Sequence, residues 1–369
     1  MISGENFQAN CLDGHPKGAA IQRILAAAVN SVEPGMIVRR VITREGDTLH
    51  VRGESLDITA VNNIYMLGIG KASPAMSDTM AEILGDTLTE GLVISKHAQL
   101  RGDSNKIHPR VKMIEGGHPI PDERSLHAGE EVLKFLSRLG PRDLLLCLIS
   151  GGGSALVTSP IEGMKLADIQ ALTEALLACG APINEINGLR RRLDRLKGGG
   201  VARSANGARI ISLILSDVVG NPLEAIASGP TAPDPMTQAE AGLLLNKYGL
   251  EGRLPDSIVR GLDSLPETPK PGDPMFEKVQ NILVGSNLTA AQGALRQAEK
   301  EGFQPYLMRT DLEGEARETA FYLATYLRQA KMTGNPVPTP GCIVAGGETT
   351  VTITGPGKGG RNTELALAA

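Results

Sequence analysis

Residues 143–156, Asp-Leu-Leu-Leu-Cys-Leu-Ile-Ser-Gly-Gly-Gly-Ser-Ala-Leu, read as a strand, a glycine loop and the start of a helix. The apolar run at 143–149 has the length of a strand and no alternation, as expected for a strand covered on both faces of a parallel sheet. Gly151, Gly152 and Gly153 then let backbone approach a ligand closely, while Ser150 and Ser154 add hydroxyl donors. Such a strand-to-helix turn suits an anion, phosphate or carboxylate; a plain flexible turn is the alternative reading.

The same pattern recurs on both sides of this stretch. The strand at 63–67 (NIYML) runs into GIGKASP at 68–74, which puts Lys71 at the carboxyl end of a parallel strand, where open α/β sheets place their ligands. Ser73 stands where the third glycine of G-x-G-x-x-G would be, so this is not read as a dinucleotide fingerprint. The strand at 91–95 is followed by Lys96-His97, and the strand at 111–115 by GGHPIPD at 116–122. There His118 and Asp122 bracket two stiffening prolines, and Asp122 is placed to cap the helix starting near Glu123. His118 has no serine or cysteine partner at a recognisable spacing, which argues against a hydrolase triad.

Residues 183–202 read as helical and carry Asn187, Arg190, Arg191, Arg192, Arg195 and Lys197. On one helix Arg190 and Lys197, seven apart, share a face that could meet an anionic ligand. The strand at 208–215 (ARIISLIL) ends in Ser216-Asp217, and a rigid small-residue loop, ASGPTAPD, follows at 227–234. Residues 250–278, rich in Pro, Asp and Glu, read as an exposed linker. The alternation then restarts with a strand at 281–284, a helix to 301, a strand at 305–308, a helix at 313–332 and a strand at 341–345. A two-strand excursion at 350–354 and the loop GPGKGGRNTE at 355–364, with Arg361, close the chain. Alternating strands and helices make this an α/β chain, divided into residues 1–270 and 278–369.

Composition narrows the partners. With 37 Lys+Arg against 41 Asp+Glu the net charge is −4, so there is no basic excess for nucleic acid. Aromatic residues are only 3% and tryptophan is absent, which leaves few platforms for stacking bases. Four cysteines, at 11, 147, 179 and 342, are widely spaced, as thiols of a reducing compartment are. No leader pattern and no apolar run of ~18 residues is present, so a cytoplasmic chain without a membrane span is expected. G-x-x-x-x-G-K-[ST] is not spelled either. A small polyanionic substrate handled by GIGK, SGGGS, KGGG and GGRNTE loops fits, and is compatible with a homodimer.

Taken together, GIGKAS (68–73), GGHPIPD (116–122), SGGGSAL (150–156), INGLRRRLDRLKGG (186–199), LSDVV (215–219), ASGPTAPD (227–234) and AGGETTVTITGPGKGGRNTEL (345–365) resemble class II, MOFRL-containing glycerate 2-kinase. The resemblance spans residues ~19–369. It implies a Rossmann-like α/β/α three-layer domain facing a smaller α/β MOFRL domain across a cleft, and ATP-dependent phosphorylation of D-glycerate to 2-phosphoglycerate. It also implies Lys71 and Arg361 as catalytic residues with Mg²⁺ bridging the ATP phosphates. Both are cations, as charge spread over a transferring phosphoryl group requires.

Within that frame Asp217 is assigned to Mg²⁺ or to the acceptor hydroxyl. Ser150, Gly151, Gly152, Gly153, Ser154 and Lys197 are assigned to the nucleotide, with the glycerate carboxylate as rival occupant of the SGGGS loop. His118, Asn187 and Arg190 join Lys71 and Arg361 in binding substrate. Members of the family continue beyond GGRNTE with a Gly-Thr-Asp-Gly loop that is not found here, so the second domain is expected to be C-terminally incomplete. The competing activity is an NAD(P)H-dependent hydroxypyruvate reductase, against which the broken G-x-G-x-x-G stands.

Overall fold

The computed structural model describes residues 1–96, 108–250, 252–264, 266–355 and 357–369; His97 and Pro356 of the motifs above lie outside them. The elements in chain order begin with helices α1 (Gly18–Ser31) and α2 (Pro34–Val41) and strands β1 (Ile42–Glu45), β2 (Thr48–Val51), β3 (Glu54–Asp57) and β4 (Ile64–Ile69). Then come α3 (Ser73–Leu84), β5 (Leu88–Ser95), β6 (Val111–Glu115), α4 (Glu123–Leu136), β7 (Leu144–Ser150) and α5 (Gly153–Leu156). They are followed by α6 (Leu166–Ala178), α7 (Ile183–Arg192), α8 (Gly200–Ser204), β8 (Arg209–Leu215), α9 (Gln238–Lys247) and α10 (Asp256–Ser264). The chain closes with β9 (Val279–Gly285), α11 (Asn287–Lys300), β10 (Gln304–Leu312), α12 (Ala316–Thr333), β11 (Gly341–Gly347) and α13 (Arg361–Ala368). None of the described helices is long and apolar enough to cross a membrane.

These elements form two compact units. One comprises Val38–Ser216 and Pro222–Val284. It is built on a six-stranded sheet in the order β6-β5-β4-β7-β8-β9, and every pair from β6 to β8 is parallel. Numbered from β4 as first strand, this is the doubly wound order 3-2-1-4-5-6. The order reverses between β4 and β7, so a crevice opens at their carboxyl ends. Both strands are buried along their whole length, which explains their unbroken apolar composition. Leu144, Leu146 and Leu148 pack with Met66, Met76, Met80, Leu84 and Ile211 on one face. The residues before β4 form a three-stranded antiparallel sheet, β1-β2-β3.

The helix starts follow local chemistry. Pro74 stands in the first turn of α3, where its missing N–H costs nothing. Asp122 caps α4 as expected, its Oδ1 accepting the Arg124 amide at 3.0 Å, and Ser125 Oγ accepts the Asp122 amide in return at 3.2 Å.

The other unit comprises Met1–Ile37, Asp217–Asn221 and Gly285–Ala369. Here α1 lies against α11 so closely that a Cβ on Gly293 would come 1.9 Å from Ser31 Oγ. Ile24, Ala294 and Ala298 fill the contact, and Arg23 donates twice to Glu301, at 2.7 and 2.6 Å. The Arg23 guanidinium holds the Glu301 carboxyl down at about 2. Strands β10 and β11 pair in parallel beside them.

Three expectations differ from the structure. Residues 18–31, read as part of an N-terminal domain, group with residues 285–369. The 250–278 linker contains α10, whose Ile258 and Leu262 join Leu254 in a core with α6, α7 and α9. That i, i+4, i+8 apolar stripe is buried despite the surrounding Pro and Asp. The 350–354 excursion forms no strand; Thr350 makes only a single bridge with Glu315.

Candidate active site

The site is assembled by two turns that lock together where β4 and β7 lie side by side, with Ile69 opposite Ile149. After β4 the chain turns through Gly70 at φ +129°, and a Cβ there would stand 2.3 Å from Ser150 Oγ and 2.5 Å from the Ser150 carbonyl oxygen. Only glycine lets the turns close. The Lys71 amide then donates to the Gly151 carbonyl at 3.0 Å, and the Ala72 amide to Ser150 Oγ at 3.0 Å. Ser150, expected to face the nucleotide, is instead 2% exposed and ties the lysine turn to β7.

The next residue defines the surface. Gly152 has φ +85°, and a Cβ on it would meet Lys71 Cε at 2.9 Å and His118 Cδ2 and Nε2 at 3.1 and 3.2 Å. Lysine and imidazole therefore lie over the same bare stretch of backbone. Lys71 is exposed and has no carboxylate within ion-pair distance among the described residues. Helix α5 is a single turn, so the macrodipole expected at its start is small. An anion placed here would be attracted chiefly by Lys71, assisted by the Gly153 and Ser154 amides, which have no acceptor among the described residues.

His118 is half-buried, and its pKa is lowered by burial first and then by the charges of Lys71 and Lys96. Below the unfolded value of ~6.5 the unfolded chain binds the proton that folded His118 resists, so this group withdraws stability as pH falls through that window. The imidazole C–H resonance of His118 should titrate below ~6.5 in the ligand-free protein, and shift upward when inorganic phosphate or ATP brings negative charge beside it. A titration unmoved by both anions would show that no anion reaches this ring.

The arginine-rich segment is arranged differently from the single helix expected over 183–202. Helix α7 ends at Arg192, and the chain turns through Gly198 (φ +52°) and Gly199 (φ +82°) before α8. Asp194 makes the break. Its carboxylate accepts from the Leu196 and Ser159 amides, Thr158 Oγ1 and Lys197 Nζ, at 2.9, 3.1, 2.7 and 2.5 Å. Lys197, assigned from sequence to the nucleotide, is thus 4% exposed and also donates to the Val157 carbonyl at 3.1 Å. The face it was to share with Arg190 does not exist.

Arg190 has a buried Nε without a partner, and burial lowers its pKa. Asn187 is half-buried one turn earlier on α7. Arg191 pairs with the fully buried Asp234 at 2.8 Å. Replacing Asp194 with asparagine should cost about 3–5 kcal/mol in urea unfolding, because it strands the Lys197 ammonium in the interior. A loss below about 1 kcal/mol would show that the pair is dispensable.

The remaining assignments fall in the other unit. Asp217, two residues past β8, is exposed and has no partner among the described residues. Arg361 opens α13, with half its side chain exposed, and donates to Glu348 Oε1 at 2.6 Å. A surface pair of this kind is worth little, so Glu348 can give way to an anionic ligand. Asp194, inside INGLRRRLDRLKGG, and Lys96, after the strand at 91–95, receive no role from the sequence, because their effects depend on partners distant in the chain.

Against known families, residues 20–263 match the model described as Domain of unknown function (DUF4147), and residues 341–369 match the MOFRL family. The Glycerate 2-kinase of Pyrococcus horikoshii is 38% identical over 353 residues, 94% of this chain and 77% of that one. The D-glycerate 2-kinase of Thermotoga maritima is 37% identical over 316 residues, 86% and 73% of the two chains. The crystal structure of Glycerate kinase from Thermotoga maritima superposes with a TM-score of 0.80 at 34% identity, over 94% of this chain and 77% of that one. With this identity over most of its length, the chain belongs to the glycerate kinase family.

Proposed function

We propose that the protein transfers the γ-phosphoryl group of ATP to the 2-hydroxyl of D-glycerate, giving 2-phosphoglycerate and ADP. The observation that carries this reading is the placement of Lys71 and His118 over Gly152 at the reversal of strand order. In the transfer a bond forms between glycerate O2 and Pγ as the hydroxyl proton passes to His118, while the bond from Pγ to the bridging oxygen breaks and ADP leaves with its electron pair. Lys71 neutralises charge on the phosphoryl oxygens, and backbone at residues 151–153 cradles the phosphates. His118, its pKa lowered by burial and two lysines, accepts a hydrogen bond from the glycerate hydroxyl and orients it.

Arg361 is assigned to the phosphoryl group or the glycerate carboxylate, either of which suits its planar fork. Asn187 and Arg190 are assigned to substrate, Arg190 through its unpaired buried Nε. A lone exposed carboxylate fits magnesium as kinases use it, with few protein ligands and several from phosphate and water. No cluster of three His, Cys, Asp or Glu suited to a metal exists among the described residues. Asp217 would hold the ion, which when bound would neutralise β- and γ-phosphate charge.

The test is a coupled assay of ADP formation with D-glycerate and ATP, with the product identified by phosphorus NMR. Oxidation of NADH by hydroxypyruvate without ADP formation would replace this reading with a reductase.

A further inference from the structure

The ASGPT loop that follows β8 is drawn into the site without a role in the chemistry above, and its backbone is unusual. Ala227, Ser228 and Gly229 stand in succession at φ +50°, +61° and +61°, a left-handed run in which two residues carry a Cβ. The loop is held from outside, by the Gly198 amide donating to the Ser228 carbonyl at 2.9 Å and the Gly199 amide to the Gly229 carbonyl at 2.8 Å. It is held from inside as well, since Ala227 Cβ occupies the space a Cβ on Gly153 would need, 2.7 Å away. The conformation delivers Ser228, fully buried, so that its Oγ is 2.7 Å from Ser154 Oγ.

The direction of that hydrogen bond follows from counting acceptors. A buried hydroxyl proton needs an acceptor, and among the described residues the Ser228 hydroxyl has only Ser154 Oγ. Either oxygen could donate by distance alone; with Ser228 fully buried and Ser154 half-buried, the arrangement that leaves no buried proton unsatisfied has Ser228 donating and Ser154 accepting. Ser154, half-buried and two residues past Gly152, has no acceptor among the described residues for its own proton. We propose that Ser228 is a positioning residue for the anionic group held at residues 151–153: by donating to Ser154 it aims the Ser154 hydroxyl proton at that anion. The inference rests on the phosphate-cradling role given to this loop above.

Ser228→Ala removes the hydroxyl and keeps a backbone that Ala227 already adopts. With Ser154→Ala and the double variant it makes a cycle, read as KM for each substrate, kcat and Tm. Ser154→Ala should raise KM for ATP about tenfold, the loss of one hydrogen bond to a charged group. Ser228→Ala should raise it about three- to tenfold with kcat within about threefold, and the double variant should be no worse than Ser154→Ala alone.

Unchanged KM for both substrates, with only Tm lowered, would reduce Ser228 to a structural role and overturn the proposal. Multiplying effects in the double variant would overturn it too, since the serines would then act independently. If the rise falls on glycerate instead, the pair stands and the nucleotide assignment of the loop fails. Should Ser228→Ala not fold, Ser154→Ala alone must still raise one KM, and its failure to do so overturns the proposal.

Discussion

Replacing Lys71 with alanine is expected to lower kcat by about 10²–10³, the loss typical of one preorganised charge-stabilising group. The side chain is exposed, has no counter-ion within reach among the described residues, and lies over the backbone of Gly152. Its removal should therefore leave folding intact, which circular dichroism and an unchanged urea midpoint would check. A second readout comes from its neighbour. Because Lys71 is one of the charges that lower the His118 pKa, the histidine should titrate higher in Lys71→Ala than in the parent protein. Near-normal turnover together with the histidine shift would mean that the lysine faces the site without serving the transfer. Lys71→Arg should recover little, because the bulkier fork cannot occupy the space a compact ammonium takes above a glycine.

How much of this was legible in the sequence depends on the range over which each signal acts. The strands β4 and β7 could be read because burial on both faces removes the need for polar residues along them. Lys71 could be read because connectivity alone puts it after a strand. That β7 lies beside β4 is a fact of pairing between residues some 80 positions apart, with no local signature; it becomes visible only when Ile69 is found opposite Ile149. The same limit explains Ser150. As a sequence neighbour of three glycines it reads as a ligand donor, whereas the amide of Ala72, from a different turn, occupies its oxygen. Over 183–202 the helical spacing was sound as far as Arg192, but the break is made by Asp194, which gathers donors from Ser159 and Thr158 as well as its own strand of chain. Residues 254–262 show the converse, since a good apolar stripe was outvoted by the Pro and Asp around it.

Gly152→Val is expected to abolish most activity by a route that the lysine variant does not use. At φ +85° a β-branched residue is strained by about 1–3 kcal/mol or more, before any contact is considered. The contacts add to this, because the Cβ alone would press on Lys71 Cε at 2.9 Å and on the His118 ring at 3.1 Å, and valine carries two further methyl groups beyond it. Both side chains must move off the cradle, so kcat/KM for ATP should fall at least 10²-fold, with Tm lowered as well. Gly152→Ala separates the two causes. It carries most of the backbone strain and the Cβ contacts with Lys71 Cε and the His118 ring but lacks valine's two further methyl groups, so it should lose stability with a smaller loss of kcat/KM. If KM for glycerate rises in both variants while KM for ATP holds, the carboxylate and not the nucleotide occupies residues 151–153. If neither moves and turnover stays within about threefold of the parent in a folded Gly152→Val protein, the anion lies elsewhere, and Lys71 and His118 meet over this glycine for reasons of packing alone.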